Sequence, residues 1–358
     1  MTAHGFLEAC RVVAPVDTGA GSAAAQYQDR LTKPRGSLGG VEEIGIRLCA
    51  MAGACPPPIP APVTVAVFAG DHGVVAEGVT PWPQEVTAQM VANFCAGGAA
   101  INVLARHVGA DVVVVDVGVA TPIPTDSADL VRCNVAPGTR NLAVEPAMTI
   151  EQAMAALDVG VDVARRAISG GARLLVTGDM GIGNTTSAAA LIAACSGRRP
   201  DEVTGRGTGI DDAALARKTA VIERALSRLP SDAEPLVVLS ELGGLEIAAL
   251  CGFIVAGAAG RVPVIVDGVI SAAASLVASA FVPDVVGYLI AGHRSSEPGS
   301  SVVLETLGLS PVLDLGMRLG EGTGAALAVS TVQAAAKILR EMATFDSAGV
   351  TDKAESSH

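Results

Sequence analysis

Short apolar runs alternate with glycine-rich turns and helical stretches along most of the chain. The runs are rich in β-branched residues and cover residues 63–68, 111–117, 174–177, 262–266 and 286–290. Near-continuous runs of this length are typical of strands in a parallel sheet that is buried on both faces. The pattern therefore predicts buried parallel strands rather than the half-exposed strands of an antiparallel sheet.

Helical spacing of apolar residues fills most of the segments between these runs. Predicted helices include 86–106, 149–169, 212–229 and a very Ala/Gly-rich helix at 241–260. The alternation from residue 63 to 343 predicts an α/β fold: a Rossmann-like, mostly parallel sheet with helices on both faces.

Three segments of the chain are expected from this pattern. Residues 61–330 form the α/β catalytic domain, residues 1–60 an N-terminal helical segment that includes a helix at 4–13, and residues 331–358 a C-terminal helix with a frayed tail. The two terminal segments together would make a small helical lobe.

Composition fits a large globular core and excludes several classes of protein. Of the 358 residues, 50% are hydrophobic and 17% are charged, which argues against disorder. The net charge of −12 argues against a nucleic-acid surface. The most apolar run, 268–283, has about 16 residues, fewer than the ~18 of a membrane span, and is expected to be a core helix.

Cysteine usage and the N-terminal sequence predict a cytoplasmic protein. The seven cysteines are scattered, odd in number and form no CxxC pair. Buried reduced thiols are the simplest interpretation, and a zinc site is not expected. The N-terminus does not show a basic start followed by an apolar segment, so a signal peptide is not predicted.

Polar residues follow the predicted strands at the edge where open α/β sheets place their ligands. Asp71 and His72 follow the first strand, and Asp267 and Gly268 follow the fourth. His72 is either a base or ligand, or a hydrogen bonder that fixes its loop. Asp267 is a candidate for contact with a ligand at this edge.

Two glycine turns offer sites for a phosphate or a sugar. The loop 178–186 joins a strand to a helix start, where free N–H groups and the helix dipole favour an anion, and it contains Asp179 as a second carboxylate. Its GxxGxG spacing matches neither the dinucleotide fingerprint nor a Walker loop. The turn 205–209 contains Arg206 and is followed by Arg217 and Lys218 on the next predicted helix. These cations either bind a phosphate or belong to a solvated helix face.

Glu321 is the strongest catalytic candidate. It lies between glycines just before an Ala-rich helix, so the backbone allows a ligand to approach the carboxylate closely. Apolar Met317 and Leu319 nearby could raise its pKa towards that of a base near neutral pH. The alternative is a glutamate that interacts with the helix dipole.

Trp82, Met90, Phe94 and Leu319 could accept a flat aromatic molecule, although the spacing of Met90 and Phe94 also suits core packing.

Long ordered motifs resemble those of the nicotinate-nucleotide:dimethylbenzimidazole phosphoribosyltransferase family. The resemblance runs from about residue 25 to 343. The matching stretches are LTKPRGSLG (31–39), AGDHGVVAEGV (69–79), PQEVTAQMV (83–91), GDMGIGNTT (178–186), GRGTG (205–209), PVIVDG (263–268), GHRSSEPG (292–299) and LGMRLGEGTGAALA (315–328).

The resemblance implies a reaction. Nicotinate mononucleotide donates its 5-phosphoribosyl group to 5,6-dimethylbenzimidazole, with inversion at C1′, giving α-ribazole 5′-phosphate and nicotinate. Glu321 matches the catalytic glutamate, which accepts the N–H proton of the base. The family implies a homodimer and no metal or other cofactor.

The resemblance also implies binding residues. On the donor side, Gly181 matches the family's nucleotide turn, and Gly205, Gly207 and Lys218 match its phosphate region. The family positions around the donor are matched by Asp267, Gly268, Ser295 and Glu297. The family positions that line the aromatic base are matched by Trp82, Met90 and Leu319. Asp179 departs from the family, where many members carry Glu. Since Asp is about one methylene shorter, a direct contact could be lost or bridged by water.

Three alternatives stay open on the sequence alone. The acceptor could be another lower-ligand base, because an apolar slot discriminates a methyl group by only ~1–3 kcal/mol. A non-catalytic nucleotide sensor would not need Glu321 in its glycine context. A dehydrogenase would need the GxGxxG fingerprint, which the chain lacks.

Overall fold

The computed structural model describes residues 5–351. Its centre is a six-stranded sheet in the order β3-β2-β1-β4-β5-β6, in which every neighbouring pair is parallel. The strands are β1 (Val63–Gly70), β2 (Ala110–Gly118), β3 (Leu130–Arg132), β4 (Leu174–Met180), β5 (Val264–Val266) and β6 (Leu289–Ala291). The predicted α/β class with a parallel sheet is confirmed.

Fifteen α-helices and two 3₁₀ helices, Gly73–Glu77 and Pro283–Tyr288, lie around the sheet within residues 5–351. In chain order, the α-helices are α1 (Gly5–Val12), α2 (Thr18–Gln28), α3 (Gly40–Ala52), α4 (Glu85–Cys95), α5 (Ala100–Val108), α6 (Ile150–Ser169), α7 (Asn184–Ser196), α8 (Pro200–Val203), α9 (Asp212–Leu226), α10 (Pro235–Leu242), α11 (Leu245–Ala259), α12 (Val269–Phe281), α13 (Pro298–Leu307), α14 (Thr323–Glu341) and α15 (Phe345–Ala348).

Helices cover both faces of the sheet, as β1 shows. The ring of Phe68 packs edge-on against Phe253 of α11, with ring centroids 5.4 Å apart. Val65 instead lies beside Gly322, at the start of α14. Because residues 65 and 68 are an odd number apart, their side chains point to opposite faces of the strand. Hence α11 and α14 lie on opposite faces.

Small residues allow helices α6 and α11 to touch backbone to backbone. A Cβ added to Gly160 of α6 would lie 1.8 Å from the carbonyl oxygen of Ala249, and one added to Gly252 of α11 would lie 2.0 Å from that of Leu157. The Ala/Gly-rich composition therefore has a packing role here, since any larger side chain would force the helices apart.

Helices of the N-terminal segment contact two different parts of the fold. Helix α2 packs on α3 and α3 packs on α14, whereas α1 lies against α6 and α11. The proposed division into an α/β domain and a small helical lobe stays a prediction. His4 of the predicted helix 4–13 and residues 352–358 of the predicted tail lie outside the described residues.

Two sequence predictions were wrong in detail. The helix expected at 86–106 is two helices, α4 and α5, because the chain turns at Gly97, whose φ of +77° suits glycine. The strand expected at 286–290 is a 3₁₀ helix, Pro283–Tyr288, followed by the short β6. Pro283 starts that 3₁₀ turn because its φ is already fixed in the helical range.

The run Glu85–Val108 is the single candidate for a membrane span among residues 5–351, by length and by a mean hydropathy of 1.3. It comprises both α4 and α5 with the break between them. Helix α4 contacts β1, β2 and β4, and α5 contacts β2 and α14. Val91, Phe94 and Ile101 of this run are buried in the core of the globular fold.

Candidate active site

The carboxyl ends of the strands face a cleft at the point where the strand order reverses. The chain builds outward from β1 to β3 and then returns to β4 on the other side of β1. Ligands of open α/β folds bind at such a switch point. A cavity of about 120 Å³ lies on the β4 side of this point, between the loops that follow β4, β5 and β6 and the turn that precedes α14.

The cavity gathers many of the residues that the sequence singled out. Among its lining residues are Asp179, Gly181, Gly207, Gly268, Ser295, Glu297 and Leu319. Gly205 lines an adjoining cavity of about 410 Å³, and Glu297 lines both. Five other predicted site residues line neither cavity: Glu321, Asp267, Lys218, Trp82 and Met90. The specific contacts assigned to these residues stay predictions.

Glu321 occupies the middle of a left-handed turn. The φ angles of Gly320, Glu321 and Gly322 are +83°, +64° and +92°. A non-glycine residue in this region costs about 1–2 kcal/mol, so the surrounding structure must stabilise the turn. The peptide carbonyl of Glu321 lies directly over Gly178, where a Cβ would approach it to 2.5 Å.

The carboxyl group of Glu321 is buried and points to the first turn of α5. Its Oε2 accepts a hydrogen bond of 3.3 Å from the N–H of Ile101. Burial raises the pKa of Glu321 above its usual value, the Ile101 N–H opposes this shift, and the negative charge of Asp267 adds to it. A carboxylate with a raised pKa is a stronger base, as proton acceptance at neutral pH requires.

Asp179 lies at the end of β4, beside the same turn. Its Oδ2 accepts a hydrogen bond of 3.1 Å from Nδ2 of Asn184, and its Oδ1 is buried without a hydrogen-bond partner in residues 5–351. Burial, followed by the charges of Asp267 and Glu246, raises the pKa of Asp179 well above its usual range. The ionised form of this carboxyl group is therefore disfavoured relative to that of an exposed aspartate.

Asp267 binds backbone groups of the turn that carries Glu321. Its Oδ2 accepts the N–H of Gly322 at 3.2 Å and its Oδ1 accepts the N–H of Ala325 at 2.9 Å. Nε2 of His293 lies 3.4 Å from the same Oδ1. Burial lowers the pKa of His293, but the nearby carboxylate of Asp267 outweighs burial and raises it.

The glycine turn 205–209 encloses a lysine and a glutamate. Nζ of Lys218 donates to Oγ1 of Thr185 at 2.8 Å and to the carbonyl of Gly205 at 3.1 Å. Oε1 of Glu297 accepts the N–H of Gly207 at 2.8 Å. Burial lowers the pKa of Lys218 to about 8, although the charge of Glu297 opposes this shift.

The other predicted cations have different partners. Arg206 forms an ion pair with Asp212, and Arg217 donates to the carbonyl of Gly78 at 3.1 Å. The sequence did not single out Arg318, yet its Nη1 donates to the carbonyl of Gly207 at 2.6 Å and its side chain lines both cavities. Its proximity in sequence to Glu321 was the available signal.

The predicted apolar group divides into core and rim. Phe94 is buried in the hydrophobic core, in agreement with plain packing, and Met90 packs partly against it. Trp82 and Leu319 are 48% and 58% exposed. The last two therefore offer apolar surface to a ligand or to another protein.

Glu246 is a buried carboxylate that sequence reasoning missed. It lies in the first turn of α11, and its Oε1 is 2.7 Å from Nε2 of His72. A lone charged residue within an otherwise apolar helix was the signal that could have drawn attention to it. His72 thus has a buried acidic partner, in agreement with the loop-fixing interpretation of that residue.

Comparisons with known proteins support the predicted family. A family model described as phosphoribosyltransferase matches residues 13–350. A nicotinate-nucleotide–dimethylbenzimidazole phosphoribosyltransferase from Salinispora tropica is 55% identical over 355 residues, covering 95% of this chain and 98% of the relative. The enzyme of the same name from Chloroflexus aggregans is 55% identical over 344 residues, covering 96% and 97%.

Solved structures agree with these sequence matches. The crystal structure of CobT from Thermus thermophilus superposes with a TM-score of 0.91 at 49% identity, covering 94% of this chain and all of that one. The predicted enzyme class and the predicted family are both confirmed. The chain belongs to the phosphoribosyltransferase family of the nicotinate-nucleotide–dimethylbenzimidazole enzymes.

Proposed function

We propose that this enzyme transfers the 5-phosphoribosyl group of nicotinate mononucleotide to 5,6-dimethylbenzimidazole. The observation that carries the proposal is Glu321, a buried carboxyl group with a raised pKa on a constrained turn beside the cleft. The names of relatives that share about half of the sequence support the choice of both substrates.

The reaction needs one proton acceptor. As a ring nitrogen of the benzimidazole attacks C1′, its electron pair forms the new C–N bond and the N–H proton of the other ring nitrogen passes to Glu321. The bond from C1′ to the pyridinium nitrogen breaks, and nicotinate leaves with the electron pair. Attack from the face opposite the leaving group inverts C1′ from β to α.

Developing positive charge on the ribosyl centre is stabilised by nearby oxygen atoms. Asp179 lies beside the Glu321 turn and has an unpartnered Oδ1 within residues 5–351. We assign it to the ribosyl side of the cleft, either in direct contact or through a bridging water. This distinguishes its role from that of Glu321, which manages the acceptor proton.

Lys218 and the turn 205–209 recognise the phosphate in this proposal. The ammonium group of Lys218 lies against Gly205, and N–H groups of a glycine turn suit an anion. Gly181, Gly268 and Ser295 line the same cleft and complete the donor side, whereas Glu297 holds the turn through Gly207.

The acceptor is held at the apolar rim. Trp82, Met90 and Leu319 supply its apolar surface, and the exposure of Trp82 and Leu319 leaves space for bases of other shapes. Another lower-ligand base is therefore the second candidate acceptor. A cytoplasmic homodimer belongs to the same proposal, and light scattering that gave a monomer mass would refute the dimer.

The direct test incubates the protein with nicotinate mononucleotide and 5,6-dimethylbenzimidazole and separates the products by chromatography. Equimolar nicotinate and α-ribazole 5′-phosphate, with the α configuration established by NMR, are expected. Hydrolysis of the donor without transfer would contradict the acceptor. A folded protein that consumes no donor would contradict the enzymatic proposal and favour a nucleotide sensor.

A further inference from the structure

Helix α14 lacks the side-chain cap that helices of its length usually have. Its N-cap is Gly322, which has no side chain to accept a hydrogen bond. An N-cap side chain normally accepts the N–H of the second or third helical residue. In α14 the third helical residue is Ala325, and its N–H is bonded instead to Asp267, from the end of β5.

Glycine is required at position 322 by the turn itself. Its φ is +92°, and an added Cβ would lie 3.0 Å from the carbonyl oxygen of Thr177 and 3.2 Å from Cγ1 of Val65. A serine or aspartate cap at this position would therefore be both strained and crowded. The left-handed turn that presents Glu321 is incompatible with a local cap, so the cap comes from another strand.

We infer that Asp267 is a positioning residue that acts through the backbone of Gly322 and Ala325 to fix the carboxyl group of Glu321. Its two carboxylate oxygens bind the N–H groups on the C-terminal side of Glu321. On the N-terminal side, the N–H and Oγ1 of Thr323 close the turn on the carbonyl of Gly320. Glu321 is thus held between two sets of backbone bonds.

The neighbouring strands hold Asp267 in turn. Its own N–H donates to Oγ1 of Thr177 on β4 at 3.1 Å. The ring of His293, just after β6, occupies the space where a Cβ of Gly324 would lie, 2.0 Å from its Cδ2. Thr177 within β4 and residues that follow β5 and β6 therefore converge on the start of α14, and Asp267 links them to the turn.

This role differs from the donor contact that the family resemblance implies for Asp267. Both of its carboxylate oxygens already accept backbone hydrogen bonds. An aspartate that contacted the donor would chiefly control donor affinity, whereas one that positions Glu321 would control the rate of the chemical step. The two roles therefore predict different kinetic effects.

The first test compares Asp267→Asn with the wild type, and it rests on the proposed transfer reaction. Asparagine can accept one of the two backbone N–H groups but presents an NH₂ to the other. We expect kcat to fall by roughly 30- to 100-fold, as for a reacting group displaced by about 1 Å. The Kd of nicotinate mononucleotide, measured by calorimetry, should change by less than about threefold. Donor binding that weakens tenfold or more at unchanged kcat would overturn the inference.

A double-mutant cycle separates positioning from general structural damage. If Asp267 acts through Glu321, Asp267→Asn should lower kcat by less than about threefold when Glu321→Gln is already present. An equal loss in both backgrounds would contradict the inference. Thr177→Val, which keeps the carboxylate but removes the acceptor of the Asp267 N–H, should give a smaller kcat loss at unchanged donor affinity.

Hydrogen exchange gives a readout that does not depend on catalysis. Asp267→Asn should accelerate amide exchange in residues 320–326, because two N–H groups there lose full protection. Asp116→Asn is the matched control, since Asp116 is also a buried strand-end aspartate and accepts the N–H of Val119 at 2.9 Å. It should leave exchange in 320–326 unchanged. Unchanged exchange in Asp267→Asn would overturn the inference, whether or not the wild type catalyses the transfer. A wild type that catalysed no transfer would contradict the proposed function separately.

Discussion

Nε2 of His72 lies 2.7 Å from Oε1 of Glu246, and both side chains are fully buried beneath the carboxyl edge of the sheet. Two glycines pack closely against the pair: an added Cβ would lie 2.4 Å from the His72 ring at Gly244 and 2.9 Å from the Glu246 carboxylate at Gly70. The pair thus joins the loop after β1 to the start of α11. Since a lone buried charge is costly, each side chain makes burial of the other tolerable.

The His72–Glu246 pair should make stability depend on pH. Burial lowers the pKa of His72, but the charge and hydrogen bond of Glu246 and the charge of Asp71 raise it overall. A histidine with a raised pKa contributes stability that is complete below its unfolded value of about 6.5 and is lost as pH rises through the folded value. His72→Gln should therefore lower the free energy of unfolding by roughly 3 kcal/mol at pH 6 and by less at pH 9.

Urea unfolding of the wild type and His72→Gln at both pH values measures this difference. The exposed His107 on α5 provides the control, because His107→Gln should have almost no effect at either pH. A stability difference for His72→Gln that grew from pH 6 to pH 9 would contradict the assignment of a charged His72.

Lys218 should make donor binding sensitive to mild alkali. Its pKa is lowered to about 8, so the ammonium charge is lost as pH rises through that value. Loss of a charged hydrogen-bond donor costs about 1.5–3 kcal/mol, or roughly 10- to 150-fold in affinity. Lys218→Met should weaken donor binding by this amount at pH 7 and abolish the decline between pH 7 and 9.

Calorimetric titration with nicotinate mononucleotide measures both effects. The phosphate is already largely a dianion at pH 7, so its own titration adds little above that pH. Lys337→Met, which removes an exposed lysine on α14, should bind the donor like the wild type. Donor affinity that stayed constant from pH 7 to 9 in the wild type would count against Lys218 as a phosphate ligand.

The ionised carboxylate of Asp179 should lower the free energy of unfolding, although the residue supports activity. Because its folded pKa is raised well above the unfolded value, ionisation destabilises the native state as pH rises. Asp179→Asn removes that charge and can keep the hydrogen bond with Asn184. The variant should be more stable than the wild type by about 1 kcal/mol or more at pH 8, with little gain at pH 4, and should lose activity.

Thermal or urea unfolding at pH 4 and pH 8 tests this expectation. Asp158→Asn is the control, since Asp158 accepts the N–H of Phe6 at 2.8 Å, away from the acidic group at the cleft. Asp158→Asn removes an acceptor of a backbone hydrogen bond and should not stabilise the protein at pH 8. An Asp179→Asn protein that was less stable than the wild type at pH 8 would contradict an unfavourable buried charge.

Most of the sheet could be predicted from sequence because the longer strands carry their own local signal, whereas the three-residue β3 (Leu130–Arg132) was missed. The β-branched run that forms β1 is buried along its whole length, and Gly181 and Gly183 marked the loop after β4 without reference to distant residues. The short β6 was misplaced because Pro283–Tyr288 has an apolar composition similar to that of a strand. Composition alone does not distinguish the two when a run is this short.

The candidate site could be predicted only in part, since its contacts join residues far apart in sequence. The glycines around Glu321 indicated a special turn, and three successive positive φ angles explain them. Nothing in the local sequence of Glu246 points to His72, 174 positions away. Likewise, Asp267 was assigned to ligand contact by its place after a strand, whereas its hydrogen bonds to Gly322 and Ala325 depend on how α14 docks.

The role of Glu321 as the proton acceptor is tested most directly by the Glu321→Gln variant. Gln keeps the size of the side chain and its acceptor for the Ile101 N–H but cannot take a proton from the acceptor base. We predict that kcat for α-ribazole 5′-phosphate formation falls by about 10²- to 10⁴-fold, while the Kd of nicotinate mononucleotide stays within about threefold of the wild-type value. Turnover of Glu321→Gln at the wild-type rate would contradict general-base catalysis by Glu321.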